Sequence, residues 1–163
     1  MKTNVITTAL PLVYRQENEF EVLNGLDLSR KGELWGIQLL SGVMVALKCG
    51  AGNNVSEIRW DEVKRFAQKM RLNGNPGFLP SKDVLRKHWG AEEQTRFTAT
   101  VEVLQENKIE ANGYQGIIWC HETYYDYYPN GAYYFRLRNG DCDWEYKCNT
   151  FGYDRVALAF NKL

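Results

Sequence analysis

Asn139-Gly140 stands between two alternating runs, AYYFRLR and DCDWEY, and it constrains the chain more than any other local feature. Both residues tolerate the positive φ that a two-residue type I′ turn requires, and that turn matches the right-handed twist of paired strands. A hairpin over 132–146 is therefore expected. A two-residue turn sets Arg138 opposite Asp141, Arg136 opposite Asp143 and Tyr134 opposite Glu145 on one face. The other face then pairs Leu137 with Cys142, Phe135 with Trp144 and Tyr133 with Tyr146. Each such pair contributes roughly 0.2–1 kcal/mol, so the pattern predicts a ribbon with one charged, wet face and one buried face. A slip of one residue would exchange the faces.

A domain of 163 residues buries about 68–70% of its unfolded surface, enough for one core without a staple. Lys+Arg and Asp+Glu are 20 each, so no basic field is available to hold nucleic acid, and no polybasic segment to hold a membrane. The apolar run at 39–47 is broken by Ser41-Gly42 and is too short to span a bilayer. The opening MKTNVITTALPLVYRQ has one Lys and only a broken apolar stretch, unlike a secretory signal. Cysteines at 49, 120, 142 and 148 form no Cys-x-x-Cys, and only two histidines, His88 and His121, could join a metal set. The cysteines read as free, mostly buried thiols; Cys120 with Cys142 or Cys148 is the alternative, a single bridge.

Along the chain, Val5-Ile6 and 20–23 read as short strands, with Pro11 and Asn24-Gly25 as punctuation. Segments 33–40 and 43–48 form a second hairpin across Ser41-Gly42. The stretch 49–55, CGAGNNV, is a Gly/Asn loop. No Gly-Lys-Ser/Thr follows it, so it is not read as a phosphate cradle. Helical spacing of Trp60, Val63, Phe66, Ala67 and Met70 predicts a helix over 60–72, ended by NGNP, with Asp61 and Glu62 in its first turn. Ser81 is a good N-cap for a helix over 81–89, with Val84, Leu85, His88 and Trp89 on one face. A third helix spans 92–107 and turns Phe97, Val101 and Leu104 inward. Strands are expected at 117–120 and 155–160, with Val156, Leu158 and Phe160 on one face of the latter. Strands, then helices, then strands argue for α+β with a mainly antiparallel sheet.

Several of these residues, taken in order, carry a resemblance: Trp60 opening a helix, Leu79-Pro80-Ser81 before the next, Trp119-Cys120-His121-Glu122, Ala132-Tyr133-Tyr134, Gly140, and Arg155-Val156. The pattern over residues 58–160 resembles the bacterial Fib-succ-major type domains, which are related to the C-type lectin fold and to formylglycine-generating enzymes. It departs at Gly77-Phe78, where those domains have Trp-Arg, and at Cys120-His121, one residue shorter than their Ser-Ser-Thr. Length argues for a single domain over 1–163, with N-terminal strands and hairpin in 1–57, and the resemblance implies a C-type-lectin-like part in 58–160 with two to three helices on a small, mainly antiparallel sheet. The resemblance also implies that Arg155 holds a loop.

Nine of the ten tyrosines lie between 114 and 153. The run HETYYDYYPNG at 121–131 has no period and ends in Pro-Asn-Gly, so it reads as loop. Tyrosine offers large, stiff contact area at low entropy cost, and with Asn, Gly and Ser it is the composition of binding loops. One reading is a recognition surface made of Tyr124, Tyr125, Asp126, Tyr127, Tyr128 and Asn130, joined by Tyr134, Arg136 and Asp143 from the wet face of the hairpin. The other has half of these rings capping the sheet edge. Tyr133, Trp144 and Tyr146 are expected in the core. The resemblance adds that some lectin-like relatives diversify such a region by adenine-directed mutagenesis, and 121–149 has that composition.

C-type lectins that bind sugar through calcium use Glu-Pro-Asn or Gln-Pro-Asp with Trp-Asn-Asp. Tyr128-Pro129-Asn130 lacks the carboxylate, and the acids of Asp141-Cys142-Asp143 are assigned to arginines, so neither metal nor cofactor is expected. In Cys120-His121-Glu122, neighbours on a strand point to opposite faces and make no nucleophile and base. Residues 140–146 are similar to the Gly-Asn-x-Trp-Glu-Trp segment of formylglycine-generating enzymes, but their reactive cysteine pair has no counterpart in 155–160. His88 reads as a core residue. The expected function is a non-enzymatic ligand-recognition module for a protein or glycan. The rivals are a structural subunit of a phage particle or surface fibre, and a degenerate formylglycine-generating-enzyme-like enzyme.

Overall fold

The computed structural model of the chain describes residues 5–16, 19–40, 43–46, 59–69, 71–72, 74–109, 114, 116–123, 130–147 and 158–160. They form a mixed α+β structure in which every strand pairing is antiparallel. The strands are β1 Val5–Gln16, β2 Glu19–Asp27, β3 Leu34–Gln38, β4 Met44–Ala46, β5 Arg71–Leu72, β6 Asn75–Phe78, β7 Ile117–Thr123, β8 Gly131–Arg136, β9 Cys142–Tyr146 and β10 Leu158–Phe160. The helices are α1 Trp60–Lys69, α2 Lys82–His88 and α3 Ala91–Glu106. One sheet runs β2-β1-β3-β4-β10-β6-β5, and a second runs β7-β8-β9.

The longest hairpin, β1 with β2, occupies the stretch whose sequence announced only two short strands. Pro11 and Gly25 punctuate it without ending it. Thr7 pairs with Gly25 and Leu12 with Leu23, so residues 8–11 of β1 lie opposite Asn24 alone. Pro11 has no N–H to give a ladder, and a bulge is where a strand accepts it. The Leu10 N–H leaves the sheet for Thr100 Oγ1 of α3 at 3.0 Å. Gly25 is required by close approach, since a Cβ there would sit 2.5 Å from the Ile6 carbonyl oxygen.

The second hairpin forms as its pattern predicts, with Ile37 opposite Val45. α1 ends earlier than its periodicity implies. Arg71 and Leu72 pair back onto Pro76 and Asn75, because Gly74 takes φ +82° and closes a turn within the NGNP cluster. α2 and α3 fall where expected. Phe97, Val101 and Leu104 are fully buried and meet Leu10, Leu12, Tyr14, Leu26 and Ile37 of the large sheet and Ile118, Cys120, Phe135 and Leu137 of the small one in one core.

The Asn139-Gly140 turn reverses the chain, but not with the expected register. Phe135 faces Cys142, Tyr134 faces Asp143 and Tyr133 faces Trp144, so each β9 residue meets a partner two positions earlier in β8 than a two-residue loop would give. The loop has four residues, 137–140. Gly140 takes φ +75°, and its N–H donates to Arg136 O at 2.8 Å. Leu137 is drawn out of the ladder: its side chain is buried and its N–H donates to Gly116 O at 3.0 Å. Because strand alternation has period two, a two-residue shift keeps each face's membership while changing every pair. The expected Arg138–Asp141 and Arg136–Asp143 cross-strand pairs are replaced: Arg138 sits in the turn, and Asp143 lies opposite Tyr134.

Faces also differ from expectation. β8 is the middle strand of its sheet, and Tyr134 is only 9% exposed, its ring edge-on to Trp119 at 6.3 Å. Tyr133 is half-buried against the core; Trp144, expected there too, is half-buried with its ring edge-on to Tyr146 at 5.4 Å, and Tyr146 is 45% exposed. Cys120 and Cys142 are free thiols. They sit on strands separated by β8, about 10 Å apart at two inter-strand spacings, beyond the roughly 7 Å that a disulfide spans.

Tyr124, Tyr125, Asp126, Tyr127, Tyr128, the 49–55 loop, Cys148 and Arg155-Val156 lie outside the described residues, as do the side chains of Phe66, Ala67, Val84, His88, Leu158 and Phe160.

Candidate functional site

Three pairs of motif residues meet where α1 and α2 join β7. The indole N–H of Trp60 donates to Cys120 O at 2.8 Å, the His121 N–H donates to Pro80 O at 3.1 Å, and the Ser81 hydroxyl donates to Glu122 Oε1 at 2.7 Å. Glu122 also accepts from the Lys82 N–H, at 3.0 Å to Oε2. Its carboxylate therefore caps the first turn of α2, where the backbone donors lack intrahelical partners. Ser81 occupies the N-cap position, but its own hydroxyl makes no cap bond to the helix backbone.

This geometry ties Cys120-His121-Glu122 to the starts of α1 and α2. Cys120 is fully buried, and burial pushes its thiol well above the ordinary range, so it is held as SH and not as the nucleophilic thiolate. His121 turns outward with its side chain 59% exposed, its Nε2 3.3 Å from Glu122 Oε1. Among the described residues, no group of three or more His, Cys, Asp and Glu could hold a metal ion.

The described surface is hollowed at the open end of the small sheet. An open cleft of about 370 Å³ lies between α1 and the ends of β8 and β9, lined by Arg59, Asp61, Glu62, Arg65, Asn130 and Lys147. Backbone bonds set its walls. Lys147 N–H donates to Asn130 O at 2.6 Å, and Trp60 N–H donates to Lys147 O at 3.2 Å, which satisfies an orphan donor at the start of α1 with a strand-end carbonyl. The Lys147 ammonium lies 4.4 Å above the Trp60 ring and the Lys64 ammonium 5.1 Å from it. Arg59 and Glu62 approach to 4.0 Å within the wall.

Of the residues singled out from sequence, Asn130 lies in this wall and is exposed. Asp143 is exposed on β9, its Oδ1 accepting from the Trp144 N–H at 2.8 Å. Arg136 is half-buried, its guanidinium 5.5 Å from the Tyr134 ring centre, and Tyr134 is buried beneath it, so Tyr134 does not present a free ring. Arg59, Asp61, Glu62, Arg65 and Lys147 were missed. The RWDEVKR string of α1 carried the signal as a charged helix face, yet nothing local joins it to Lys147. Comparison with protein-family models, with curated proteins and with solved structures finds no match for the chain. No helix among the described residues is long and apolar enough to cross a membrane.

Proposed function

We propose that this protein is a non-enzymatic recognition module of C-type-lectin-like architecture, binding a protein or glycan through the tyrosine-rich segment 124–128, the adjoining cleft and the exposed part of the β8–β9 hairpin. The observation that carries this reading is Asn130. It closes the tyrosine-rich connection between β7 and β8, and it stands in the wall of the cleft beside Arg65 and Lys147. In sequence that connection combines stiff aromatic residues with hydrogen-bonding Asp and Asn, which is the composition of adaptable binding surfaces. The architectural part of the proposal is supported by the residues of the resemblance. Trp60, Pro80 and Ser81 tie to Cys120, His121 and Glu122, which is what residues recurring at fixed order in a common fold would do.

The test is retention on glycan and protein panels by the wild type and by the triple variant Tyr125→Ala, Tyr127→Ala, Tyr128→Ala. Lost retention with a nearly unchanged melting temperature supports the proposal. Unchanged retention, or a large loss of stability, assigns these rings to scaffolding.

A second reading, a structural subunit of a particle or fibre, draws on β2. This nine-residue strand lies at one edge of the large sheet with Val22 exposed, and such an edge can accept another strand. Solution mass separates the two: stable self-assembly favours the subunit and a monomer the module.

A further inference from the structure

We infer that Asn139 is a site of self-modification: in the folded protein its side-chain amide closes onto the Gly140 backbone nitrogen and is converted, without an enzyme, to an aspartyl or isoaspartyl linkage.

The chain holds Asn-Gly at 24, 73, 112, 130 and 139. Such pairs are vulnerable because glycine has no side chain to shield its nitrogen. Both residues of the pairs at 24, 130 and 139 are described, and the three are held in different ways. Gly25 lies within β2 opposite Thr7, and a Cβ there would sit 2.5 Å from Ile6 O, so the main chain cannot pucker into a ring without parting β2 from β1. The Asn130 carbonyl is pinned by the Lys147 N–H at 2.6 Å, and Gly131 is buried opposite Tyr146. Asn139 is exposed in the turn, and the space beside Gly140 is less crowded, the nearest atoms to a Cβ there being 3.5 Å away.

The Asn139 side chain is also set for the reaction. Its Oδ1 accepts from the Asp141 N–H at 3.0 Å. To reach a donor two residues on, the side chain folds forward over the peptide that joins it to Gly140, which brings Cγ to the side of the attacking nitrogen. The same N–H polarises the amide and stands where the oxyanion of the tetrahedral intermediate develops. Two bonds oppose the step. The Gly140 N–H donates to Arg136 O at 2.8 Å, and Gln94 Nε2, donating to Arg138 O at 3.0 Å, ties the turn to α3. Releasing residues 138–140 costs less than separating strands, because local opening is cheapest where few buried contacts break.

Once the turn releases, water removes the Gly140 N–H proton, the nitrogen bonds to Cγ, and the Cγ–Nδ2 bond breaks with ammonia as the leaving group. Water then adds to either carbonyl of the succinimide ring and reopens it, leaving a carboxylate in place of the amide. Water is consumed and ammonia lost, with no change of oxidation state. Opening at the backbone carbonyl gives isoaspartate, which adds a methylene to the main chain of the turn.

Peptide mapping by mass spectrometry, with isoaspartate counted by enzymatic methylation, follows the three sites while the full chain is held at mildly alkaline pH, folded or in urea. In the folded chain, conversion at 139 is expected to run at least about tenfold faster than at 24 or 130. In urea the three should converge, since only the shared Asn-Gly sequence remains. Gln94→Ala frees Arg138 O from α3 and should speed conversion at 139 by about twofold to tenfold, the worth of one hydrogen bond, while the rate at 24, which reports overall loosening, stays as it was. Conversion at 139 no faster than at 24 or 130 in the folded chain would overturn the inference. So would a rate at 139 that Gln94→Ala leaves unchanged, or raises only together with that at 24.

Discussion

The Ser81 hydroxyl and the Glu122 carboxylate, 41 positions apart, are joined at 2.7 Å, and the helix that Ser81 introduces is capped by Glu122 instead. A long-range carboxylate has taken over a local capping role. It brings a formal negative charge to the positive end of α2, and it fastens that helix to β7.

Glu122→Ala removes the cap and leaves the Lys82 N–H and the Ser81 hydroxyl without their acceptor. A loss of about 1–3 kcal/mol in urea denaturation is expected. Ser81→Ala should cost less, about 1 kcal/mol, because the Lys82 N–H keeps its partner. Equal losses would mean that the carboxylate is not the cap.

Thr100 holds the β1 bulge from α3: its Oγ1 accepts from the Leu10 N–H at 3.0 Å and donates to Arg96 O at 2.8 Å. Thr100→Val keeps the shape and strands a buried N–H, which should cost about 1–3 kcal/mol. Thr100→Ser should restore most of the loss. Chemical denaturation of the three proteins decides it.

Glu93 is a buried acid in the first turn of α3, and its Oε1 accepts from the Leu40 N–H at 2.8 Å. Burial raises its pKa; the Leu40 hydrogen bond and Arg96 lower it less, and Glu92 adds to the rise. Native Glu93 therefore holds its proton to higher pH than unfolded Glu93. Between those two pKa values the native state binds more protons, so this group's contribution to stability is lost as pH rises through the folded value. Glu93→Gln, whose amide oxygen can still accept from Leu40, should remove that decline. The stability difference between variant and wild type should move in the variant's favour from acid to neutral pH; a constant difference would show Glu93 to be unperturbed.

Gly25 lets β2 approach β1 at the register Thr7–Gly25. Gly25→Ala would press a methyl onto the Ile6 carbonyl and the Val5 side chain, at 2.5 and 2.6 Å. Strand separation costing about 1–3 kcal/mol is expected, with faster amide exchange across Val5–Gln16. Unchanged exchange would show that the pairing gives way without cost.

Much of the fold was legible locally. The apolar spacing of Phe97, Val101 and Leu104 located α3 within a residue at each end, and Ser41-Gly42 located the β3–β4 hairpin. The β1–β2 hairpin was not legible, because Pro11 and Gly25 are breakers by propensity. Here they mark a bulge and a close approach, and Thr100, arriving from α3, accepts the Leu10 N–H at that bulge. Of the candidate site, Asn130 could be named in advance, but Arg65 and Lys147, 82 positions apart, could not. Their proximity depends on the Trp60 N–H finding Lys147 O.

By itself the sequence determined which segments are helices, that Asn139-Gly140 turns the chain, and which residues of β8 and β9 share a face, since all of these follow from periods of 3.6 and 2 and from backbone sterics. Tertiary structure alone decided the register of that turn, the identity of the α2 cap and the membership of the cleft. The reason is one of satisfaction: Leu137 left the ladder for Gly116, and Glu122 displaced Ser81 as the cap, because buried donors must be paired with whatever acceptor the packed chain brings within reach.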